Sequence, residues 1–297
     1  MKKMHYFNIT YACDSNCKFC AANVGLISDK DYTISLEKFE EQLINENVQS
    51  GDYVMISGGE PTLSPYFWKI LDICKKYDCY IELTTNGHYF ADYNNARKLI
   101  SYDYVNVQIP LFGMEIQHDY LTGYKGGFVK TIQALDNFAS LLCDNHFSVS
   151  VKFLLCKATV EGNVLGYNYC KNRYSNKFYY YLNALLVSEK AKLNAEELLE
   201  PYSVSMEKLG GFIENEDVIV DTIPLCLLSE KKLNYVLKKK HVDLKKIYSD
   251  AKLTDDSMDN YLGSKCRVCK MEKFCDKFLP SYIEYFGDGE IKPFICK

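Results

Sequence analysis

The sequence from residue 7 to residue 20 reads Phe7-Asn8-Ile9-Thr10-Tyr11-Ala12-Cys13-Asp14-Ser15-Asn16-Cys17-Lys18-Phe19-Cys20. Its first four residues predict a β-strand, and three cysteines follow within the next ten positions. In parallel α/β proteins, ligands gather at the carboxyl ends of the strands. Three thiolates placed there can each bind one iron of a 4Fe–4S cube, which leaves the fourth iron without a protein ligand.

Two other interpretations of Cys13, Cys17 and Cys20 stay open on the residues alone: a zinc site and three free thiols. Zinc usually takes four ligands, commonly arranged as two closely spaced pairs. This triplet has no fourth cysteine or histidine beside it, so it fits zinc poorly.

Strand-like and helical patterns alternate through the first 190 residues. Strands are predicted at 7–10, 53–57, 80–84, 104–109, 148–155 and 178–187, and helices begin at Ser35 and Ser64 or span 95–100, 128–142 and 162–172. Such alternation implies a parallel sheet with helical crossovers. Six units are fewer than the eight of a closed TIM barrel, so the predicted fold is α/β, an open partial (β/α)6 TIM-like barrel.

The alternation stops at about residue 190. Residues 195–209 and 230–244 have charged, helical patterns, and a second group of cysteines follows near the C-terminus. We therefore predict two domains, a partial barrel over residues 1–190 and a small C-terminal domain over residues 191–297.

Composition excludes several classes of protein. The net charge of −4 and the absence of a long basic run argue against a DNA or RNA partner. No apolar stretch is long enough to span a membrane, and the N-terminus lacks a secretion signal, so a cytoplasmic protein is predicted. Thirteen cysteines in such a chain indicate metal binding rather than a disulfide framework.

The triplet Cys13, Cys17 and Cys20 has the Cys-x3-Cys-x2-Cys spacing and position of the radical S-adenosylmethionine (SAM) superfamily, which the chain resembles. The resemblance implies a 4Fe–4S cluster whose open iron binds the amine and carboxylate of SAM. Reductive cleavage would then give a 5′-deoxyadenosyl radical that abstracts a hydrogen atom. Phe19 matches an aromatic residue that packs near the adenine in the family, although ordinary loop packing would also explain it.

Two further motifs follow predicted strands. Gly58-Gly59-Glu60-Pro61 lets the backbone approach a neighbour closely, and in the superfamily this motif contacts the SAM amino group. Thr84-Thr85-Asn86-Gly87 offers hydroxyl and amide groups, and the resemblance places Thr84 and Asn86 near the ribose or methionine part of SAM. Taken alone, both motifs are also ordinary turns.

Two polar residues interrupt apolar strands. A buried polar side chain needs a partner or a ligand, so Gln108 and Lys152 are candidate contacts to SAM or substrate. The stretch from His118 to Phe128 resembles peptide-modifying members of the superfamily. Many of these carry Arg where this chain has Thr122, so Lys125 or Lys152 would have to contact the SAM carboxylate.

The second cysteine group contains Cys266, Cys269 and Cys275. It resembles the C-terminal SPASM or twitch extension of radical SAM enzymes, which implies one auxiliary 4Fe–4S cluster. The fourth ligand is Cys226, which we favour, or Cys296. Zinc bound by four thiolates is the alternative.

The resemblance favours hydrogen abstraction from a ribosomally made peptide to give a crosslink, an epimer or a related change. A reductant such as flavodoxin or ferredoxin would be needed, and either a separate leader-peptide-binding protein or the C-terminal tail itself would recognise the substrate. For epimerisation, Cys156 at the end of a strand is the candidate hydrogen-atom donor, with buried packing as the alternative. The competing functions are a dehydrogenase or related enzyme acting on a small carbohydrate or nucleotide, and a non-catalytic iron–sulfur or zinc protein.

Overall fold

A computed structural model describes residues 2–27, 32–142, 146–215, 217–239 and 263–295. Their centre is one sheet of seven parallel strands that pair in chain order, each with the next. The two outermost strands are the first and the last, so the sheet is open. The strands are β1 Met4–Thr10, β2 Tyr53–Gly58, β3 Tyr80–Thr84, β4 Val105–Pro110, β5 Phe147–Leu155, β6 Tyr179–Ala184 and β7 Val218–Asp221.

Helices connect the parallel strands. They are α1 Leu36–Asn45, α2 Phe67–Lys76, α3 Tyr93–Ile100, α4 Glu115–Thr122, α5 Gly127–Leu141 and α6 Val160–Tyr174. The predicted cap of α1 is confirmed, since the Ser35 side chain accepts a hydrogen bond from the Lys38 amide at 3.2 Å. The second helix starts at Phe67, later than predicted, because Pro61–Leu63 forms a short 3₁₀ turn and Ser64 lies in extended conformation after it.

The sequence prediction of six strands and an open parallel α/β sheet is confirmed, and the structure adds a seventh strand. β7 pairs in parallel with β6, from Tyr180 opposite Val218 to Asn183 opposite Asp221. The sheet therefore takes in residues beyond position 190. The division into two domains at that position remains a prediction.

The two faces of the sheet differ in chemistry. One face packs against the helices and is apolar; it carries Ile9, Ile56, Leu83, Val107, Val151 and Leu182, all fully buried. The other face, called the polar face here, carries Tyr6, Glu82, Gln108, Lys152 and Asp221. Because side chains alternate along a strand, this pattern places a polar surface along the sheet, away from the helices.

Short elements follow β6 and complete the described chain. They are α7 Glu189–Leu193, α8 Ala195–Leu198, α9 Tyr202–Leu209, α10 Glu230–Lys239, α11 Ser264–Arg267 and α12 Pro280–Phe286. The predicted helix over 195–209 is divided in two because Pro201 precedes α9 and ends the helical hydrogen bonding. The later part of the prediction over 230–244 lies outside the described residues.

The C-terminal elements pack on the same core as the sheet. The rings of Tyr202 and Tyr282 stack with centroids 4.0 Å apart, and the Tyr282 hydroxyl accepts a hydrogen bond from the Tyr202 amide at 2.9 Å. Phe278 and Tyr282 are fully buried in the cluster that contains the strands. Within the described parts of the chain, no helix has the length and apolar character needed to cross a membrane.

Candidate active site

The loop that carries Cys13, Cys17 and Cys20 follows β1 at the carboxyl edge of the sheet. Backbone hydrogen bonds hold it from two sides. The Glu60 amide donates to the Ala12 carbonyl at 2.7 Å. The amides of Asn16 and Lys18 donate to the last carbonyls of α4, at 2.8 and 3.0 Å. The cysteine loop is therefore clamped between the end of β2 and the end of α4.

Gly58 and Gly59 make this clamp sterically feasible. A Cβ atom on Gly58, which has φ +133°, would lie 2.2 Å from the Thr10 carbonyl oxygen. A Cβ atom on Gly59 would lie 2.3 Å from the Ala12 carbonyl oxygen. The close neighbour of both glycines is thus the backbone that leads into the cysteine loop. Their predicted contact to SAM remains a prediction.

The Glu60 carboxylate joins two strand ends. It is buried and accepts hydrogen bonds from the amide and hydroxyl of Thr62, the hydroxyl of Thr85 and the amide of Asn86, at 2.7–3.2 Å. Burial raises the pKa of Glu60, and these hydrogen bonds act in the opposite direction. The side chain is fully used in tying β2 to β3, so any SAM contact from this motif would come from its backbone.

Asn86 connects the end of β3 to the cysteine loop. Its side-chain amide donates to Asp14 at 2.6 Å, and the other oxygen of Asp14 bonds the ring of the buried His88 at 2.8 Å. Burial alone would raise the pKa of Asp14, but the hydrogen bonds from His88 and Asn86 hold it below its usual value. Asn86 therefore positions this loop, a role that its Asn-Gly turn pattern did not indicate.

A segment after β6, residues 188–198, crosses to the cysteine loop and holds its outer side. The ammonium of Lys190 is buried and donates to the Asn16 side chain at 2.6 Å and to the Val24 carbonyl at 2.8 Å. Asn194 donates to the Lys18 carbonyl at 3.1 Å, and Lys18 pairs with Glu197 at 2.7 Å. Sequence reasoning missed this segment, because no local pattern links positions so far apart.

Cys13, Cys17 and Cys20 are partly exposed residues of one short loop. Burial raises the pKa of the Cys13 thiol to about 12, and that of the Cys17 thiol to about 12. Among the described residues, no three Cys, His, Asp or Glu side chains converge closely enough to hold a single metal ion. A 4Fe–4S cube takes one thiolate per iron, so its ligands need not converge on one point.

The polar face of the sheet lies beside this loop. Gln108 donates to Glu82 at 2.6 Å, and its amide oxygen accepts from Thr84 at 3.4 Å. Lys152 lies 3.6 Å from Asp221 on β7. Burial and the nearby carboxylates raise the pKa of Tyr6 to about 12. Three predicted cofactor residues, Thr84, Gln108 and Lys152, thus share one surface, while their contact to SAM remains a prediction.

Phe19 and Cys156 lie in a separate apolar cluster, against which Cys17 of the cysteine loop packs. The rings of Phe19 and Phe112 meet edge to face at 4.5 Å, and Leu121 packs beside them. The Cys156 thiol is buried in the same cluster, 3.3 Å from the Thr159 hydroxyl, and burial raises its pKa. This placement gives Cys156 a packing role, and its assignment as hydrogen-atom donor remains a prediction.

The stretch from His118 to Phe128 builds the end of α4 and the start of α5. Asp119 accepts from the amides of Gly126 and Phe128, which caps α5. The Thr122 hydroxyl donates to the carbonyl of His118 inside its own helix, so it is directed away from the polar face. Lys125 is exposed. Of the two lysines predicted for the SAM carboxylate, only Lys152 lies on the polar face.

Four cysteines line one cavity in the C-terminal part: Cys226, Cys266, Cys269 and Cys275. The backbone amides of Leu225 and Lys277 donate to the Cys275 sulfur at 3.3 Å. The Phe294 amide donates to the Cys269 sulfur at 3.4 Å. Such amide-to-sulfur bonds are typical of iron–sulfur sites. The remaining lining is largely apolar and includes Met271, Phe278, Ile291 and Phe294. Cys296, the alternative ligand, lies outside the described residues.

Comparison with known proteins identifies the family. The family model of the radical SAM superfamily matches residues 7–154. The mycofactocin maturase of Mycolicibacterium smegmatis is 29% identical over 134 residues, which are 45% of this chain and 33% of the relative. The chain therefore matches only about a third of that relative's length.

Solved structures match the fold over almost the whole chain. Native anSMEcpe with bound AdoMet gives a TM-score of 0.64 at 16% identity, covering 99% of this chain and 93% of that chain. Streptococcus suis SuiB bound to its precursor peptide SuiA gives 0.62 at 14% identity, covering 98% and 76%. At these identities the likeness shows a shared fold.

Proposed function

Because the chain belongs to the radical SAM superfamily, we propose that it cleaves SAM reductively at a 4Fe–4S cluster held by Cys13, Cys17 and Cys20. When bound, this cluster and SAM supply a 5′-deoxyadenosyl radical that abstracts a hydrogen atom. The protein's own task is to hold the three thiols at the edge of the sheet, beside the polar face. One observation carries the proposal: three neighbouring, partly exposed thiols lie in a loop clamped by β2, α4 and the 188–198 segment.

The polar face is the proposed surface for SAM and the reacting part of the substrate. Gln108 and Thr84 present an amide and a hydroxyl there, and Lys152 presents a cation suited to a carboxylate. The main chain of Gly58-Gly59-Glu60 would bind the SAM amine, because the Glu60 side chain is already occupied. Asn86 would act mainly by fixing Asp14 and the loop.

The proposed substrate is a ribosomally made peptide. The support comes from relatives: a maturase matches residues of the family domain, and SuiB, which shares the fold, was solved with a precursor peptide. A small carbohydrate or nucleotide is the competing substrate. Mass spectrometry in D2O separates the two. A peptide made from a neighbouring gene would lose two hydrogens on crosslinking, or gain one deuterium on epimerisation, only in the presence of the enzyme and SAM.

An auxiliary 4Fe–4S cluster is proposed for the C-terminal cavity, with Cys226, Cys266, Cys269 and Cys275 as ligands. All four cysteines line this cavity, and the amide donors of Leu225 and Lys277 suit an iron–sulfur cluster. Four protein ligands would leave no iron open to substrate. Electron relay or structural support is the proposed use.

Two partners and a location complete the proposal. Reduction of the first cluster requires a low-potential donor such as flavodoxin or ferredoxin, and a separate leader-binding protein would present the peptide. A reducing cytoplasm suits a chain whose described cysteines are all free thiols.

The test is SAM cleavage by protein reconstituted without oxygen. With dithionite and SAM, wild-type protein should release 5′-deoxyadenosine, and Cys17→Ala should release none. Cys79→Ala is the matched control and should retain the activity. Buried Cys79 precedes β3 at the amino edge of the sheet, opposite the edge that carries the cysteine loop. If reconstituted wild-type protein contains two clusters but forms no 5′-deoxyadenosine, the proposed activity is wrong.

A further inference from the structure

An apolar groove, called the outer groove here, opens on the surface between α4, the start of α6 and α8. Its floor includes Leu121, and its walls include Ile116 and Leu165. Ile116 is 89% exposed and Leu165 is 57% exposed. Adjacent exposed apolar side chains in a concave surface are uncommon on isolated proteins and usually mark a binding site.

Carboxylates surround the outer groove. Glu115, Glu161 and Glu197 all line it, and no Lys, Arg or His is among its lining residues in the described chain. Glu197 is paired with Lys18, whereas the exposed Glu115 and Glu161 form no ion pair within the part of the chain that the structure describes. Both also lie in the first turn of a helix, where acidic side chains are favoured. Their position at one groove adds a local negative field there.

We propose that the outer groove binds an amphipathic helical segment of the peptide substrate, apolar on one face and basic beside it. The apolar face would cover Ile116 and Leu165, and its lysines or arginines would lie beside Glu115 and Glu161. This is the arrangement by which a helix docks into a groove, with anchors spaced three and four residues apart. The charge of the groove excludes an acidic redox protein as its occupant.

The outer groove also touches the cysteine loop. The Tyr120 hydroxyl in the groove accepts a hydrogen bond from the Lys18 ammonium at 2.5 Å, and that ammonium lies 3.8 Å from the Tyr120 ring centroid. Lys18 follows the cluster ligand Cys17 directly. A segment held in the groove would therefore sit against the outer side of the loop, while the reacting residues reach the polar face.

The identification of the occupant as substrate rests on the proposed function, but its binding is measured without catalysis. The probe is a fluorescein-labelled helical peptide of leucine and lysine, about 14 residues long, with leucines three and four positions apart. Anisotropy should show saturable binding to reconstituted wild-type protein. The Ile116→Ser, Leu165→Ser double variant should bind at least about tenfold more weakly, since two apolar anchors are lost.

A second pair of variants tests the charge. The double variant Glu115→Gln, Glu161→Gln should bind the peptide more weakly. Its dissociation constant should also depend less on salt, because the electrostatic attraction that salt screens is removed. A leucine and glutamate peptide of the same spacing should not bind. The controls are Ile44→Ser and Glu41→Gln on α1, which change equally exposed side chains away from the groove.

Four outcomes decide the proposal. Unchanged binding in the Ser double variant, or equal binding of the acidic peptide, overturns it. A change in the sedimentation of the free protein caused by the Ser variant also overturns it, because a second copy of the chain would then cover the groove. Groove-dependent binding by a protein that cannot cleave SAM upholds the groove and refutes only the proposed function.

Discussion

The Lys190 ammonium lies 2.6 Å from the side-chain oxygen of Asn16, the residue that precedes the proposed cluster ligand Cys17. The two residues are 174 positions apart in the chain. Lys190 is also 2.8 Å from the Val24 carbonyl and is 8% exposed. The buried ammonium thus donates to Asn16 within the cysteine loop and to Val24 after it. It also places a positive charge near the Cys17 thiol.

Replacing Lys190 by Met should loosen the loop and shift the cluster's potential. The variant removes two hydrogen bonds from a charged donor to partly buried oxygens, a cost of about 1–3 kcal/mol. Loss of the cation should also make the midpoint potential of the cluster more negative, since a nearby positive charge favours the reduced form. Iron content, melting temperature and an EPR-monitored redox titration measure these effects. Lys192→Met, on the same helix but more exposed, should change none of them.

Replacing Gly59 by Ala should displace the cysteine loop through steric contact alone. Its Cβ would lie 2.3 Å from the Ala12 carbonyl oxygen, and backbone atoms cannot swing aside as a flexible side chain does. Overpacking of this kind costs about 1–3 kcal/mol, and the first cluster should be lost on gel filtration. Gly211→Ala is the control, because nothing lies within 4 Å of its added Cβ. Equal iron retention in the two variants would contradict the prediction.

His118 should make the stability of the protein depend on pH. Burial lowers the pKa of His118 from 6.5 to about 4. The unfolded chain therefore binds more protons than the folded chain between these two values, and stability should fall by about 3 kcal/mol as pH drops through this window. The measurement is urea unfolding at a series of pH values between pH 4 and pH 7.

The matched variant is His118→Asn, whose side chain can still accept from the Phe112 amide but does not titrate. It should remove this component of the pH dependence and leave the rest of the curve. The exposed His146 provides the control as His146→Asn. A wild-type slope in the His118→Asn variant would show that other groups cause the loss.

The fourth auxiliary ligand can be decided by metal content. Cys226 lines the cavity with the other three cysteines, so Cys226→Ala should lose about four irons per chain. Cys296→Ala should retain them. Iron and acid-labile sulfide analysis, with Mössbauer spectra of enriched samples, gives the count. Loss in Cys296→Ala with retention in Cys226→Ala would reverse the assignment, and stoichiometric zinc in place of iron would reject the cluster.

Replacing Lys152 and replacing Lys125 should have different effects on the affinity for SAM. Lys152 lies on the polar face, 3.6 Å from Asp221, whereas Lys125 is exposed in the turn between α4 and α5. Equilibrium dialysis with reconstituted protein should therefore show about tenfold weaker SAM binding for Lys152→Met and no change for Lys125→Met. If Lys125→Met alone weakens binding, the polar face does not contain the carboxylate contact.

Much of the sheet was predictable, because β1 to β6 are apolar runs separated by helical periodicity. β7 was missed for a physical reason: Val218–Asp221 has only four residues, and its strand conformation depends on pairing with β6. The cysteine loop was predictable because its ligands are adjacent in sequence. By contrast, the buried contacts of Glu60 and Lys190 depend on which distant donors and acceptors the fold brings together.

The partners of the other candidate site residues were likewise not predictable from the sequence. Sequence analysis predicted an adenine contact for Phe19 and a hydrogen-atom donor role for Cys156. It did not indicate that both residues lie in one apolar cluster with Phe112. It did indicate that Gln108 needs a partner, and the structure supplies Glu82 on the neighbouring strand. Polar residues on strands were thus located correctly, while their partners required the register of the sheet.

The long separation between Asn16 and Lys190 also has a consequence for biosynthesis. Lys190, in the 188–198 segment that holds the outer side of the cysteine loop, is made 174 residues after Asn16. Until then, a nascent chain presents three thiols on a loop without its last support. A cluster bound at this loop in the proposed way would therefore have its full protein support only after the 188–198 segment has been made.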